Sequence, residues 1–127
     1  MKKRKFLFVC YANQNRSKTG ERIFRELLEE RGYKVSDDVD ARRGRVVLSA
    51  GFETNGEGRQ LSKELADKFD EIFVMSRGMS EELTETYKQD PRKIVVLDIP
   101  DVYRKDDPEL VGLLRLKLSE YLELEGY

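Results

Sequence analysis

Four short apolar runs, three of them followed by a segment of helical periodicity and the last by a loop and then a helix, limit what this chain can fold into more than any other feature. The runs are Phe6-Leu7-Phe8-Val9, Val46-Val47-Leu48, Glu71-Ile72-Phe73-Val74-Met75 and Lys93-Ile94-Val95-Val96-Leu97. A short continuous apolar run suits a strand buried on both faces, as in a parallel sheet. After the first run, Ile23, Phe24, Leu27 and Leu28 share one helical face, with Arg22, Glu26 and Glu30 opposite and Gly32 as a stop. Tyr33 to Gly44 reads as a loop, with some strand at Tyr33 to Val35. Phe52 to Arg59 is a second loop. Leu61 to Phe69 reads as a helix capped near Ser62, and Ser80 to Lys88 as another, ended before Pro91. Pro108 suits the first turn of a last helix, whose stripe is Leu110, Leu113, Leu114, Leu118, Tyr121 and Leu122. Its face predicts core.

Strand and helix alternating in this way predict right-handed crossovers and a parallel sheet covered on both faces. The expectation is one α/β domain over residues 1–127, a three-layer sandwich around a four-stranded parallel sheet in the order 2-1-3-4. A chain of 127 residues can bury such a core without disulfides or metals.

Composition narrows the chemistry. With 24 basic and 25 acidic residues the charges nearly cancel, which gives no general attraction to nucleic acid or membrane. The opening Met1-Lys2-Lys3-Arg4-Lys5 is basic, but the apolar stretch behind it is too short for a signal peptide or a span. A cytoplasmic location is the expectation. One cysteine and no histidine exclude an internal disulfide, a zinc cluster, and Ser-His-Asp or Cys-His catalysis. Neither metal nor cofactor is expected.

In open parallel sheets, ligands bind beyond the carboxyl ends of the strands. The loops there are Cys10–Arg16, Ser49–Gly58, Ser76–Met79 and Asp98–Asp107. The first, Cys10-Tyr11-Ala12-Asn13-Gln14-Asn15-Arg16-Ser17, leaves a buried strand and enters a helix. There, backbone N–H groups can converge on an anion, helped by the helix start. A thiol in that ring of dipoles beside an arginine is expected to be held as the nucleophilic thiolate without a histidine. Arg16 offers a planar fork for two phosphate oxygens, Ser17 can donate to the thiolate, and Asn13 and Asn15 tolerate left-handed backbone. The competing reading makes Cys10 a small buried hydrophobe. Its place at a strand-to-helix junction favours phosphate chemistry.

Val9-Cys10, the five-residue gap, Arg16-Ser17, Thr19 and Glu21 resemble the signature of the low-molecular-weight protein tyrosine phosphatases. Ser49-Ala50-Gly51, Val74-Met75 and Pro100-Asp101-Val102-Tyr103 are similar to later segments of that family, in order. The resemblance implies hydrolysis of a phosphate monoester, phosphotyrosine in a protein above all, through a cysteinyl-phosphate. It implies Cys10 as nucleophile, Asp101 as acid and then base, and the backbone of Tyr11, Ala12, Asn13, Gln14, Asn15 and Arg16 with the Arg16 side chain as the phosphate cradle. Ser17 would support the thiolate, and Asn13 and Ser49 would hold the loop in shape. Inorganic phosphate would be the product. The chain departs from the pattern at Asn15, where a second cysteine often stands, at Lys18 and Val102 in place of prolines, and in lacking the loop-supporting histidine. A loop disulfide that would protect Cys10 from over-oxidation is therefore excluded.

Asp98, Asp106 and Asp107 compete with Asp101 as the acid. Asp107 before Pro108 also reads as a helix cap, and Asp106 as a solvated charge. Tyr11 and Tyr103 are candidate aromatic walls for a substrate ring. Gly56-Glu57-Gly58 reads as a turn. The alternative function is a non-catalytic module that binds phosphate or phosphoproteins on the same fold. Arsenate reduction by thiol relay fails with Cys10 alone.

Overall fold

A computed structural model describes residues 3–127, so Met1 and Lys2 of the basic opening lie outside it. The chain forms β1 (Lys5–Cys10), α1 (Arg16–Glu30), β2 (Val35–Ser36), β3 (Arg45–Gly51), α2 (Lys63–Ala66), β4 (Glu71–Val74), α3 (Arg77–Glu85), a 3₁₀ turn (Pro91–Lys93), β5 (Ile94–Val96) and α4 (Pro108–Leu124). All strand pairs are parallel, in the order β2-β3-β1-β4-β5, and helices flank the sheet. The expected order of the four apolar runs holds. The sheet nevertheless has five strands, not four, because Val35 and Ser36 pair with Arg45 and Val46 at its edge. A two-residue strand is too short to show alternation, which is why the sequence gives only a hint of it.

The expected loop at residues 33–44 thus contains β2. Two helices also differ from expectation at both ends, the second of them ending at Glu85 and not Lys88. The Leu61–Phe69 segment contains only one short helix, Lys63–Ala66, capped by Ser62, whose side chain accepts from the Leu65 N–H. The third helix starts earlier than Ser80, because the Ser76 hydroxyl accepts from Met79 N–H and caps it there.

β1 sits centrally and is wholly buried from Phe6 to Cys10. Phe6 and Phe8 meet Phe24 of α1 at ring separations of 4.8 and 5.5 Å, and Phe73 of β4 stacks on Phe8 at 4.6 Å. Truncating one such ring to alanine costs about 3–5 kcal/mol. In α4, Leu110, Leu114, Leu118 and Leu122 recur every four residues and are fully buried, so the leucine stripe is core. α1 and α4 pack against each other, while α3 covers β4 and β5. No helix among the described residues is long and apolar enough to cross a membrane. The central position of β1 brings Cys10, at its carboxyl end, to the middle of the sheet.

Candidate active site

Cys10 pairs in register with Gly51 of β3, and this pairing shapes the first loop. A Cβ on Gly51 would lie 2.6 Å from the Tyr11 carbonyl oxygen and 2.7 Å from the Asn13 nitrogen, so only glycine lets the loop fold back over the strand end. Asn13 takes φ 56°, the left-handed turn that Asn tolerates. The loop then enters α1 at Arg16.

Inside the loop a short relay of hydrogen bonds ends at the sulfur. Cys10 Sγ and Ser17 Oγ are 2.9 Å apart, and Ser17 Oγ donates to Asn13 Oδ1 at 2.9 Å. Asn13, Ser17 and Cys10 are all buried. The Arg16 side chain is buried too, and its Nη1 donates to the Ile99 carbonyl at 2.7 Å. That bond ties the first loop to the loop after β5. Arg16 Nε lies 3.6 Å from Asp101 Oδ1, and the Asp101 side chain is 73% exposed. Cys10, Tyr11, Ala12, Gln14, Asn15, Arg16 and Asp101 line one cavity of about 130 Å³. Among the described residues, the backbone N–H groups of Ala12, Asn13, Gln14 and Asn15 donate to no protein acceptor. Of these four residues Asn13 is buried, Ala12 and Asn15 are half-buried and Gln14 is exposed, so solvent or an anion can meet the unpaired donors.

A second cavity of about 420 Å³ shares Tyr11, Arg16 and Asp101 with the first and adds Met75, Ser76, Met79, Asp98, Ile99 and Pro100. Its wall combines apolar side chains with one charged rim. Tyr11 is half exposed and leans on Phe52 at 5.6 Å, which in turn meets Tyr87 at 5.7 Å.

The structure thus brings together Cys10, Arg16, Ser17, Asn13, Tyr11 and Asp101. It separates others. Ser49 is buried, but its hydroxyl donates to Glu21 Oε1 at 2.5 Å, so it joins β3 to α1 instead of reaching Asn13. Glu21, one helical turn and a half into α1, lies across from it and accepts the hydrogen bond. Tyr103 lines neither cavity and is partly buried against the core. Of the competing acids, Asp107 caps α4 by accepting from the Glu109 N–H. Asp106 pairs with Arg22 at 3.0 Å, and its N–H donates to Thr19 Oγ1 at 3.1 Å, so it anchors the loop to α1 and is not merely solvated. Asp98 takes φ 60° on the rim of the larger cavity.

The buttress under the loop has no motif in the sequence. Gly51 is bridged to Gln60, Gln60 Nε2 donates to the Phe52 carbonyl at 2.7 Å, and Gln60 Oε1 accepts from the Thr54 N–H and hydroxyl. Gly56-Glu57-Gly58 is a turn, closed by Glu57 N–H on the Thr54 carbonyl. Gly58 packs on Asn13, where an added Cβ would sit 3.0 Å from Nδ2. The glycines were the only signal for it. No cluster of residues suited to a metal ion occurs among the described residues.

Comparison with known proteins agrees with this geometry. Residues 5–111 match the family model described as low molecular weight phosphotyrosine protein phosphatase. No curated protein sequence matches. Similar solved structures include the tyrosine phosphatase Wzb of Escherichia coli K30 in complex with phosphate, at 22% identity and TM-score 0.74, covering 99% of this chain and 100% of that one. Wzb of Vibrio vulnificus in complex with benzylphosphonate has 24% identity and TM-score 0.72, with 96% and 99% covered. The arginine phosphatase YwlE of Bacillus subtilis, as a mutant with a phosphorylated active-site serine, has 21% identity and TM-score 0.66, with 94% and 95% covered. These likenesses establish the fold.

Proposed function

The chain belongs to the low molecular weight phosphotyrosine protein phosphatase family, and on that premise we propose that it is a metal-independent protein tyrosine phosphatase working through Cys10. The observation that supports this best is the single cavity in which Cys10 Sγ, held at 2.9 Å from Ser17 Oγ, shares its walls with Arg16 and Asp101. In the first step the Cys10 thiolate attacks phosphorus, an S–P bond forms and the ester P–O bond breaks. Asp101 gives its proton to the leaving oxygen. In the second step Asp101 takes a proton from water, water attacks phosphorus, the S–P bond breaks, and phosphate leaves. Arg16 and the loop N–H groups stabilise the equatorial oxygens as charge moves onto them. The one Ser17 hydroxyl proton, directed at Asn13 Oδ1 at rest, turns to the sulfur 2.9 Å away once the thiolate forms, and supports it as attacking and as leaving group.

Phosphotyrosine is the substrate that suits the second cavity best. Tyr11, Met75, Met79, Ile99 and Pro100 offer a flat or apolar surface to an aromatic ring. YwlE is an arginine phosphatase, so phosphoarginine is the comparison substrate; Asp98 and Asp101 on the same rim are the groups a guanidinium would meet.

The test is hydrolysis of p-nitrophenyl phosphate by reduced protein in the presence of chelator. Turnover that survives chelation and falls at least about 10³-fold in Cys10→Ser, with phosphate still bound, is the expected result. Wild-type protein that binds phosphate without turning over would establish the non-catalytic module instead.

A further inference from the structure

Where α1 meets the loop that carries Asp101, a separate cleft of about 260 Å³ is lined by Lys18, Glu21, Arg22, Arg25, Lys105 and Asp106. Four bases face two acids, and both acids are already engaged. Asp106 accepts from Arg22 at 3.0 Å. Glu21 accepts from Ser49 at 2.5 Å and lies 3.6 Å from Arg25. Lys18 and Lys105 have no acidic partner among the described residues. In a chain whose 24 bases and 25 acids nearly cancel, this is a local surplus of positive charge that the fold does not use.

Its position matters as much as its sign. Lys18 stands two residues beyond Arg16 on α1, and Lys105 stands four beyond Asp101. Four residues of chain span at most about 14 Å, so the cleft opens within a short peptide's reach of the cavity that holds Cys10. An extended substrate of two to four residues covers the same range.

We propose that this cleft is a subsite for acidic groups flanking the phosphorylated residue, carboxylates or a second phosphate two to four positions away, with Lys18 and Lys105 as its contacts. The inference rests on the phosphatase reading of the neighbouring cavity and names the protein substrates that cavity receives. Arg22 and Arg25 complete the positive wall while holding Asp106 and Glu21 away from the ligand. Small substrates such as p-nitrophenyl phosphate do not extend into it.

The test compares two phosphotyrosine peptides that differ only in carrying glutamate or glutamine at positions two to four from the phosphotyrosine. The expected ratio of kcat/KM, acidic over neutral, is about threefold to tenfold at low salt, the scale of two exposed ion pairs. It approaches one in 0.5 M salt, where the Debye length shrinks to a few ångströms, and also in the double variant K18Q/K105Q. Because the readout is a ratio, a general loss of activity in the variant cancels.

A wild-type ratio near one, with p-nitrophenyl phosphate still turned over, overturns the subsite and leaves the phosphatase reading standing. If wild-type protein turns over no substrate, the phosphatase reading fails and binding decides the subsite alone. In that case both peptides are titrated into Cys10→Ser protein by NMR. Amide shifts at Lys18, Arg22 and Lys105 with the acidic peptide alone support the cleft. Equal shifts with both peptides, or none, overturn it.

Discussion

The two ends of the central sheet bury polar groups in opposite ways. At the amino end, Glu71 is buried with its Oε1 unpartnered, while its Oε2 receives the Lys3 ammonium at 2.8 Å and the Tyr121 hydroxyl at 2.5 Å. The Arg4 and Lys5 N–H groups both donate to Asp70 beside it. Charge there is answered by charge within the protein. At the carboxyl end, among the described residues, Asn13 Nδ2 is buried without a hydrogen-bond partner, the N–H groups of residues 12–15 have no protein acceptor, and Cys10 is flanked by an arginine held in place. The unmet groups are donors near a sulfur at one end and one oxygen of an ion-paired carboxylate at the other. The same parallel sheet therefore separates stability from chemistry along its strands, about six residues apart in β1.

The largest effect expected from breaking the carboxyl end, beyond loss of the nucleophile, comes from Asp101→Asn. With an alkyl phosphate, whose leaving group needs a proton, kcat is expected to fall about 10²–10⁴-fold. With p-nitrophenyl phosphate the fall is expected to be smaller, and equal falls on both substrates would remove Asp101 as the proton donor. Gly51→Ala is next. Its Cβ meets loop backbone at 2.6 Å, and a displaced cradle costs about 10²-fold in kcat/KM, with the circular dichroism spectrum retained.

At the amino end the expected change is in stability, not rate. Glu71→Ala leaves Lys3 and Tyr121 without their shared acceptor and is expected to lower unfolding free energy by about 2 kcal/mol. That is less than for a fully buried pair, because the Lys3 side chain is 36% exposed. Chemical denaturation measures it, and kcat on p-nitrophenyl phosphate is expected to stay as in wild type. A comparable fall in kcat would show that the two ends are coupled.

The smallest effect is on alkaline stability. Burial, and then the Glu71 hydrogen bond, push the Tyr121 hydroxyl well above its ordinary value of 10.0. Burial pulls the Lys3 ammonium down, but Glu71 and Glu125 more than offset it, so it ends above 10.5. Both groups hold their protons more tightly in the folded chain. Their stabilisation is full below about pH 10 and is lost as the pH rises beyond it. Denaturation midpoints at pH 8 and 11 are expected to converge between wild type and Glu71→Ala.

The carboxyl end was the more legible in sequence, because its chemistry is carried by a contiguous stretch. Cys10 to Ser17 falls between a strand pattern and a helix pattern, and that placement pointed to the loop that lines most of the smaller cavity. The apolar runs marked four of the five strands, and the order expected for those four holds. What escaped was held by contacts between distant residues that no periodicity marks. β2 is two residues long. Gln60 braces Phe52 and Thr54 through its amide, and nothing in a lone glutamine announces that. Ser49 was expected to hold the first loop in shape, but its hydroxyl is bonded to Glu21 of α1, a partner that no spacing in the sequence marks. Asp106 and Asp101 were alternatives in one loop until Arg22 and Thr19 claimed Asp106.

The bond from Arg16 Nη1 to the Ile99 carbonyl also has a thermodynamic side. A free arginine side chain holds about 2 kcal/mol of rotamer entropy, which a flexible cation must surrender each time it grips an anion. Here that freedom was given up when the chain folded. On the proposed phosphatase reading, phosphate would meet a guanidinium that is already oriented, and its capture would carry a small ordering cost. The same bond makes the position of the loop after β5 a condition for Arg16 to be aimed correctly, and the orientation of the anion-binding group is thereby inherited from folding instead of being rebuilt at every turnover.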